Sequence, residues 1–262
     1  MSRQAYYKHK KVKRKNNRSE RLVVEAIKEE RRELPRSGVR KMHYLTTDKL
    51  KHKGVKVGRD KMFKIAKKNG LFVEKRRKMT KTTYSSHSYA IQPNRVENLE
   101  VTRPNQVFVS DITYINLVNG FCYLFLITDK YTRRVVGYHL SKDMSHKSAI
   151  KALEMAIKDI DDPTGIIHHS DRGCQYCCHD YIKVLHDYKM LSSMTDKDHC
   201  AQNALAERMN GILKDEFFLD IGFNSFDDAL KAVNSAVYLY NNKRPHLSLF
   251  MKTPEEFFRL AA

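Results

Sequence analysis

The stretch from residue 106 to residue 140 constrains the fold more than any other part of the sequence. Asn119-Gly120 lies near its centre, and an Asn-Gly pair between apolar runs is a strong signal for a tight hairpin turn. The pattern predicts three consecutive antiparallel strands. The runs rich in Val, Ile, Phe and Tyr that form them lie at residues 107–117, 121–128 and 135–140.

Helical patterns and one further strand follow these runs. Three antiparallel strands, then a helix, a strand and more helices indicate an α/β fold of the ribonuclease-H-like kind. We assign residues 104–262 to this domain. Its remaining predicted elements are a helix at 145–160, a buried strand at 165–170, a helix near 179–188, a loop opening into a long helix at 194–218 and a last helix at 226–242.

The positive charge of the chain is concentrated in its first third. The formal net charge is +19, and residues 1–95 hold 30 Lys and Arg against 8 Asp and Glu, a balance of +22. Residues 96–262 hold 19 against 22, a balance of −3. This split predicts a polyanionic partner for the first third. Nucleic acid is favoured over a membrane surface, because no Leu/Phe/Trp-rich apolar face accompanies the charge.

Short helices are predicted within the basic third. Ser19 and Ser37 resemble N-caps, which predicts helices at 20–33 and 39–45. A third helix is expected at 59–69, where apolar side chains alternate with basic ones at helical spacing. Three short helices with a basic outer surface are therefore expected in this region.

Such an arrangement is typical of a helix-turn-helix-like DNA-binding domain, which we place at residues 1–74. The alternative is a small helical bundle whose basic face only keeps it soluble. The residues expected to contact DNA are the basic ones of the third helix: Arg59, Lys61, Lys64, Lys67 and Lys68.

Residues 75–103 are predicted to link the two domains. They hold few large aliphatic side chains, a charge cluster at residues 75–78 and a middle rich in Thr and Ser. This composition is typical of an extended linker. The chain is thus expected to be a small basic all-α domain, a linker and an α/β domain.

A line of polar side chains marks one face of the helix predicted within 194–218. Asn203, Glu207, Asn210 and Lys214 recur at spacings of four, three and four residues, which places them on one side. Apolar residues occupy another side and suit packing on a core. On this helix alone, the polar line is best explained as a solvated face with one acid.

Two other acids change that interpretation. Asp111 lies inside the first predicted strand, where a lone carboxylate is costly to bury. Asp171 follows the strand at 165–170, and 35 residues separate it from Glu207. Singly, a strand-end Asp is usually a turn former and a helical Glu is usually solvated. Together they offer the oxygen ligands that Mg²⁺ prefers, and two such ions can promote an in-line displacement at phosphorus.

The motifs around these acids identify the family that the chain resembles. They are Asp111-Ile112-Thr113-Tyr114, His169-Ser170-Asp171-Arg172-Gly173 with Gln175-Tyr176, Asn203-Ala204 with Glu207, Tyr240-Asn241, Arg244-Pro245-His246 and Thr253-Pro254. In this order, with the 35-residue gap, the sequence resembles bacterial transposases of the insertion-sequence-three family. The resemblance is to the second-frame product, which has a retroviral-integrase-like catalytic core, and it runs over nearly the whole chain.

The resemblance implies a fold and a chemistry. The fold would be a ribonuclease-H-like integrase core, with a mixed five-stranded sheet and flanking helices. Asp111, Asp171 and Glu207 would be the catalytic acids that bind Mg²⁺, with Mn²⁺ able to replace it. The activity would be cleavage of DNA at the ends of the element, followed by attack of the freed 3′-hydroxyl on another DNA strand. Lys214, two helical turns beyond Glu207, and Asn203 would contact that DNA.

The resemblance also implies partners and a location. The partners would be terminal inverted repeats and target DNA, further copies of this chain on that DNA, and the first-frame helix-turn-helix protein of the same element or a frameshifted fusion with it. The five cysteines are odd in number, which fits reduced thiols in a cytosol. With no apolar signal segment at the start, a bacterial cytoplasmic, nucleoid-associated protein is expected.

Two alternatives to a transposase stay open on the sequence alone. A nuclease of the ribonuclease-H fold would cleave DNA without joining it, and a catalytically inactive remnant would only bind DNA. A separate question concerns Cys174 and Cys177, which form a C-x-x-C beside Cys178. Zinc would require a second ligand pair at zinc-finger spacing, which is missing, so packing as small apolar side chains is favoured.

Overall fold

The computed structural model describes residues 1–74, 89–196 and 200–261. The chain divides into two compact units, Met1–Arg77 and Lys78–Ala262. No helix among the described residues has both the length and the apolar character needed to cross a membrane.

The first unit is built from three helices: α1 (Arg3–Glu30), α2 (Val39–His52) and α3 (Arg59–Lys68). Each contacts the other two. The apolar positions that the helical spacing gathers on their inner faces form the core of this unit. The fully buried members of that core include Val23, Ile27, Met42, Leu50 and Met62.

The predicted start of the first helix is wrong, as are the predicted cap and end of the second. α1 begins at Arg3, where Ser2 accepts a 3.2 Å hydrogen bond from the backbone N–H of Ala5, and Ser19 lies in mid-helix. The basic stretch before Ser19 contains no Gly or Pro and many good helix formers, so nothing interrupts the helix there. α2 is preceded by Gly38 rather than capped by Ser37, and it continues to His52 because Leu50 is also buried.

The second unit contains a five-stranded mixed sheet, which confirms the predicted fold class. The strand order is β3-β2-β1-β4-β5, with β1 antiparallel to β2, β2 antiparallel to β3, and β4 and β5 parallel to β1. The strands are β1 (Val107–Leu117), β2 (Gly120–Asp129), β3 (Val135–Ser141), β4 (Ile167–Ser170) and β5 (Leu191–Met194).

Six α-helices accompany this sheet in the described part of the unit. They are α4 (His146–Ile157), α5 (Cys174–Cys177), α6 (His179–Asp187), α7 (Ala204–Glu216), α8 (Phe226–Asn242) and α9 (Pro254–Ala261). Short 3₁₀ turns at Cys200–Asn203 and Leu247–Leu249 precede α7 and α9.

The sequence reading missed three of these elements, β5, α5 and α9. β5 has only four residues, two of them serines, so it carries little strand signal. The sequence predicts the helix at 226–242 as the last one, but α9 follows it. A reciprocal cap begins α9, since Glu256 accepts from the Thr253 N–H and Thr253 Oγ1 accepts from the Glu256 N–H. This Ser/Thr-x-x-Glu signature was legible in the sequence.

Each face of the sheet carries its own apolar core, because successive side chains of a strand point to opposite faces. Phe108 and Phe125 lie in the core that includes Leu153 of α4 and Tyr181 of α6. The residues of the other face lie in a core with α7 and α8. That core includes Leu124, Leu126, Met209, Leu213, Val233 and Tyr240.

The second half of the predicted linker is part of the second unit rather than a free connection. The backbone N–H of Arg95 donates to Ser193 Oγ on β5 at 2.9 Å. Val96 is buried in a cluster with Val107, Val109 and Ala206. The first half of the predicted linker, residues 75–88, lies outside the described residues.

Candidate active site

Asp111 and Asp171 are brought together by the register of two parallel strands. β1 and β4 pair Val107 with Ile167 and Val109 with His169, a constant offset. Continued by two residues, the same offset sets Asp111 beside Asp171, and both point to the same face as Val109 and His169. Neighbouring strands are about 4.8 Å apart, so the two carboxylates share one small region at the end of β4.

Helix α7 is tied to β1 at this place by two buried amides. Asn203, at the start of the helix, donates from Nδ2 to the carbonyl of Ser110 at 2.9 Å. Asn210 donates from Nδ2 to Oδ2 of Asp111 at 2.8 Å. Their exposed fractions are only 3% and 6%. The polar line of α7 is therefore an interface with β1, and the interpretation as a solvated face is wrong for these two residues.

Asn203 was expected to contact DNA, and its position corrects that expectation. The side chain is buried, and its amide nitrogen is used within the chain to fix the start of α7 against β1. Asn210 has the corresponding role for Asp111, but the sequence reading gave it none. Its spacing from Glu207 was the available signal, because three residues along a helix return to the same face.

Burial and like charge act together on Asp111. They raise the pKa of its carboxyl to about 7: burial is the largest cause, and the negative charge of Asp171 is the second. Hydrogen bonds from Asn210 and from the Ile112 N–H act in the opposite direction, and the charge of Glu207 adds a smaller increase. A cation placed between these acids would favour the charged form of Asp111 and so lower its pKa again.

Glu207 belongs to the same face but is more exposed than the other two acids. It lies four residues beyond Asn203 and three before Asn210, both of which contact β1. Among the described residues, no three His, Cys, Asp or Glu side chains converge closely enough to hold a metal ion. The structure thus sets Asp111 beside Asp171 and leaves Glu207 near them without closing the three into one cage.

The groups around the acids suit a hard divalent cation. Asp111, Asp171 and Glu207 offer carboxylate oxygens, the ligand type that Mg²⁺ prefers. The amide oxygens of Asn203 and Asn210 are also buried here and have no hydrogen-bond partner among the residues that the structure describes. A buried oxygen of this kind is suited to accept from a cation's water shell. The donor set therefore fits Mg²⁺ or Mn²⁺ better than a softer metal.

The loop that carries Asp171 depends on a glycine. Oδ1 of Asp171 accepts from the backbone N–H of Gly173 at 3.0 Å. A Cβ added at Gly173 would lie 3.1 Å from that same oxygen and 3.1 Å from Oε1 of Gln175. The glycine of the Ser-Asp-Arg-Gly motif therefore allows the backbone to approach the carboxylate that it orients.

Lys214 lies within electrostatic reach of the acids. It is half-buried, and burial lowers the pKa of its ammonium, while the charges of Asp111 and Asp220 act in the opposite direction. The placement agrees with the expected position two turns beyond Glu207. A cation held here is suited to meet a phosphate near the acids.

A buried ion pair anchors the far end of α7. Arg244 donates from Nε and one terminal nitrogen to the two carboxylate oxygens of Glu216, at 2.8 and 2.6 Å. Its other terminal nitrogen lies 2.7 Å from Nε2 of His246, and only 5% of Arg244 is exposed. The Arg-Pro-His motif thus holds the helix that carries Glu207, a role that the sequence alone did not reveal.

The neighbouring motif residues dock α8 on the start of β3. Tyr240 donates to the carbonyl of Arg133 at 2.8 Å. Asn241 both accepts from the N–H of Val135 and donates to its carbonyl, at 3.0 and 2.9 Å. Asn241 therefore takes the place of a strand partner for Val135 at the edge of the sheet, where β3 is the outermost strand.

The basic residues of α3 form an exposed surface on the first unit. Arg59, Lys61, Lys64, Lys67 and Lys68 are all exposed. Two of them have acidic partners: Arg59 pairs with Asp60, and Lys68 pairs with Glu20. Lys61, Lys64 and Lys67 make neither ion pairs nor hydrogen bonds with the described residues, so their charges stay available to a polyanion.

The cysteine cluster packs as small apolar side chains. Cys177 and Cys178 are buried, Cys178 within the core shared with α4 and α6. Burial raises the pKa of the Cys177 thiol to about 12, so the sulfur stays protonated. His168 is buried between Tyr176 and Tyr181, and burial lowers its pKa to about 3.

Comparison with known proteins yields two matches to family models and two informative sequence relatives. Two models described as integrase core domain match residues 101–200 and 188–254. A 31 kDa protein of insertion element IS600 from Shigella sonnei is 34% identical over 98% of this chain and 94% of its own length. Transposase InsF of insertion sequence IS3A from Escherichia coli K12 is 30% identical over 80% of this chain and 74% of its own length.

Among solved structures, the intasome of simian T-cell lymphotropic virus in complex with the PP2A regulatory subunit B56 gamma has a similar fold. The match has a TM-score of 0.53 and 19% identity, and it covers 84% of this chain and 74% of the viral one. At this identity the likeness bears on the fold alone. It agrees with the mixed sheet and flanking helices of the second unit.

Proposed function

Because this chain belongs to the insertion-sequence-three family of transposases, with an integrase core, we propose that it performs metal-dependent DNA cleavage and strand transfer with Asp111, Asp171 and Glu207. The observation that carries the proposal is the register of β1 and β4, which sets Asp111 beside Asp171. Two carboxylates at such a separation repel each other unless a proton or a cation lies between them. A bound Mg²⁺ ion would offset the repulsion between the two carboxylates, which accounts for their being placed side by side.

Glu207 completes the ligand set from α7. Two Mg²⁺ ions bound by these acids would activate the attacking oxygen and stabilise the leaving oxygen of an in-line displacement at phosphorus. Asn210 orients Asp111, and Gly173 orients Asp171. The Arg244–Glu216 pair holds the end of α7 on which the position of Glu207 depends.

Two displacements make up the reaction. In the first, a water oxygen attacks a phosphodiester at the end of the element, and the P–O bond to the 3′ oxygen breaks to leave a 3′-hydroxyl. In the second, that hydroxyl attacks a phosphodiester of another strand, and the P–O bond to the 3′ oxygen of that strand breaks, so that the new linkage runs from 3′ to 5′ and the target strand is left with a 3′-hydroxyl. Lys214 is placed to hold a phosphate during both steps, because it lies within reach of Asp111.

The first unit supplies the sequence-independent hold on DNA. Residues 1–95 carry the surplus of +22, and the lysines of α3 lie exposed on the surface of the first unit. Recognition of the sequence of a terminal repeat would need more base contacts than one helix provides, and α3 is the candidate among the described residues. We therefore propose that the first-frame helix-turn-helix protein, or a fusion with it, contributes further contacts and helps two copies to pair the ends.

A strand-transfer assay with end-sequence duplexes and Mg²⁺ tests the proposal. We expect the chain, supplied with the first-frame protein, to nick the duplex and to join its 3′ end to a target. Nicking without joining would favour a nuclease of the same fold. DNA binding without either step, in Mg²⁺ and in Mn²⁺, would favour an inactive remnant.

A further inference from the structure

A cationic cavity lies in the second unit, away from the three acids. Its volume is about 360 Å³. Two half-buried cations, Lys130 and Arg133, lie among apolar and aromatic side chains in its wall. The remaining lining residues are Leu99, Val101, Tyr131, Ser248, Leu249 and Phe257.

The charges of these two cations are not neutralised by ion pairs with the residues that the structure describes. Neither side chain makes a hydrogen bond or salt bridge there, and Arg133 is close enough to Lys130 for its charge to disfavour the charged form of Lys130. The charge of the buried Asp129 favours the charged form of Arg133, but the oxygens of Asp129 accept from Thr132 and from the Asn105 N–H rather than from Arg133. Two such cations at one cavity are suited to an anion.

The surroundings of the cavity connect it to the acids. Lys130 donates its backbone N–H to the carbonyl of Val107, four residues before Asp111 on β1. At a rise of roughly 3.3 Å per residue, this is roughly 13 Å along the strand. The charge of Lys130 also reaches His169, two residues before Asp171. The cavity thus lies alongside the face of the sheet that holds the acids.

A third cation, Arg208, extends the positive region toward α7. The charge of Arg208, which directly follows Glu207, reaches Arg133 and disfavours its charged form. Arg208 is exposed. Positive charge thus extends from the cavity toward α7, the helix that carries Glu207. Along a duplex, roughly 13 Å corresponds to about four nucleotide steps of 3.4 Å.

We propose that Lys130 and Arg133 hold a backbone phosphate of the bound DNA, about four nucleotide steps from the phosphate at the acids. The inference rests on the proposed function, since it assumes that the acids act on DNA. Tyr131 and Phe257, whose ring centroids are 5.6 Å apart, supply an apolar wall for the adjoining sugar. Such a subsite would fix the path of the strand beyond the reacting bond.

The test is a salt titration of DNA binding by the full chain in EDTA, where no joining occurs. The variant Lys130→Gln/Arg133→Gln is compared with Lys151→Gln/Lys158→Gln, which removes two exposed charges in and after α4, on the other face of the sheet. We expect the slope of log K against log salt to fall by about 0.9 in the first variant, the effect of one phosphate contact. The control should keep the wild-type slope. Equal slopes in the two variants would overturn the proposal.

A second measurement uses the wild-type chain, so its outcome does not depend on whether the variant folds. Acetylation of lysines, followed by mass spectrometry, should show Lys130 protected by duplex DNA and Lys151 unchanged. Inorganic phosphate at the same total phosphate concentration should protect neither. Protection of Lys130 by inorganic phosphate but not by DNA would identify a site for free anions and refute the DNA subsite. A chain that passes these tests but never joins DNA would refute the proposed function instead.

Discussion

Asn210 donates a 2.8 Å hydrogen bond from Nδ2 to Oδ2 of Asp111, and so joins helix α7 to the central strand at the candidate site. The same helix carries Glu207 one turn earlier. The positions of the first and third acids are therefore coupled through one buried amide. Removing that amide should affect how the acids hold a metal more than how the chain holds DNA.

Asn210→Ala tests this coupling. We expect the Mg²⁺ concentration for half-maximal joining to rise about 10- to 100-fold, the range typical when a partner of a metal ligand is lost. DNA affinity in EDTA should stay unchanged. Asn242→Ala is the matched control, because its amide only donates to the Tyr238 carbonyl within α8. An unchanged Mg²⁺ requirement in Asn210→Ala would mean that this residue only packs.

Asp111→Asn should stabilise the metal-free chain, and the gain should depend on pH. The pKa of Asp111 is raised from 3.8 to about 7 in the folded state, so ionisation opposes folding. The loss of folding free energy caused by ionisation of Asp111 begins as pH rises above about 4 and is complete above about 7. The variant should therefore match the wild type near pH 4 and exceed it at pH 8 by at most about 4 kcal/mol.

Urea unfolding in EDTA at pH 4.5 and pH 8 measures this difference. Asp187→Asn is the control, since Asp187 is an exposed acid at the end of α6 and should show no gain that grows with pH. A gain that is larger at pH 4.5 than at pH 8 would contradict the stated environment of Asp111.

Arg244→Met should destabilise the second unit strongly. It leaves Glu216 without its bidentate partner, and breaking a buried ion pair typically costs about 3–5 kcal/mol. The double variant Arg244→Met/Glu216→Met should recover much of that loss, because no unpaired charge remains. Arg259→Met, which breaks an exposed pair with Glu255, should cost less than about 1 kcal/mol. Equal losses from the two single variants would show that the buried network does not anchor α7.

A fragment of the second unit should be more stable if it keeps residues 89–97, which precede β1. The linker predicted from the sequence includes these residues, but the backbone N–H of Arg95 donates to Ser193 Oγ and Val96 is buried. We expect 89–262 to unfold at a higher temperature than 98–262, since burial of a Val alone contributes about 1.5–3 kcal/mol. Thermal denaturation of the two fragments measures the difference, and equal midpoints would contradict it.

The 89–262 fragment should also lose most of the salt dependence of DNA binding. The surplus of +22 lies in residues 1–95, and the slope of log K against log salt falls by about 0.9 for each phosphate contact removed. A salt titration of the fragment beside the full chain makes the comparison. A fragment that kept the full slope would show that the basic third only solubilises the protein.

Local patterns were enough to predict much of the sheet and several helices. The Asn119-Gly120 turn and the apolar runs beside it predicted β1 and β2 to within a residue or two. α8 was predicted with the bounds that it has. The sequence of each of these elements has a strong periodicity or a recognisable turn, so its position can be predicted without knowledge of tertiary contacts.

What the sequence could not show depends on contacts between distant residues. The adjacency of Asp111 and Asp171 follows from a strand register, which no local pattern specifies. The roles of Asn210 and Arg244 follow from side chains that meet across 99 and 28 residues of chain. β5 has too few apolar residues to be recognised as a strand from its sequence. It forms because its backbone pairs in parallel with β4.

The central claim is that Asp111 and Asp171 together hold a divalent cation. Electron paramagnetic resonance of Mn²⁺ titrated into the full chain tests it directly, with no need for DNA or for the first-frame protein. The account predicts that the wild type and Asp187→Asn bind Mn²⁺ equally, while Asp111→Asn and Asp171→Asn each lose most of that binding. Wild-type Mn²⁺ affinity in either of the two site variants would contradict the claim.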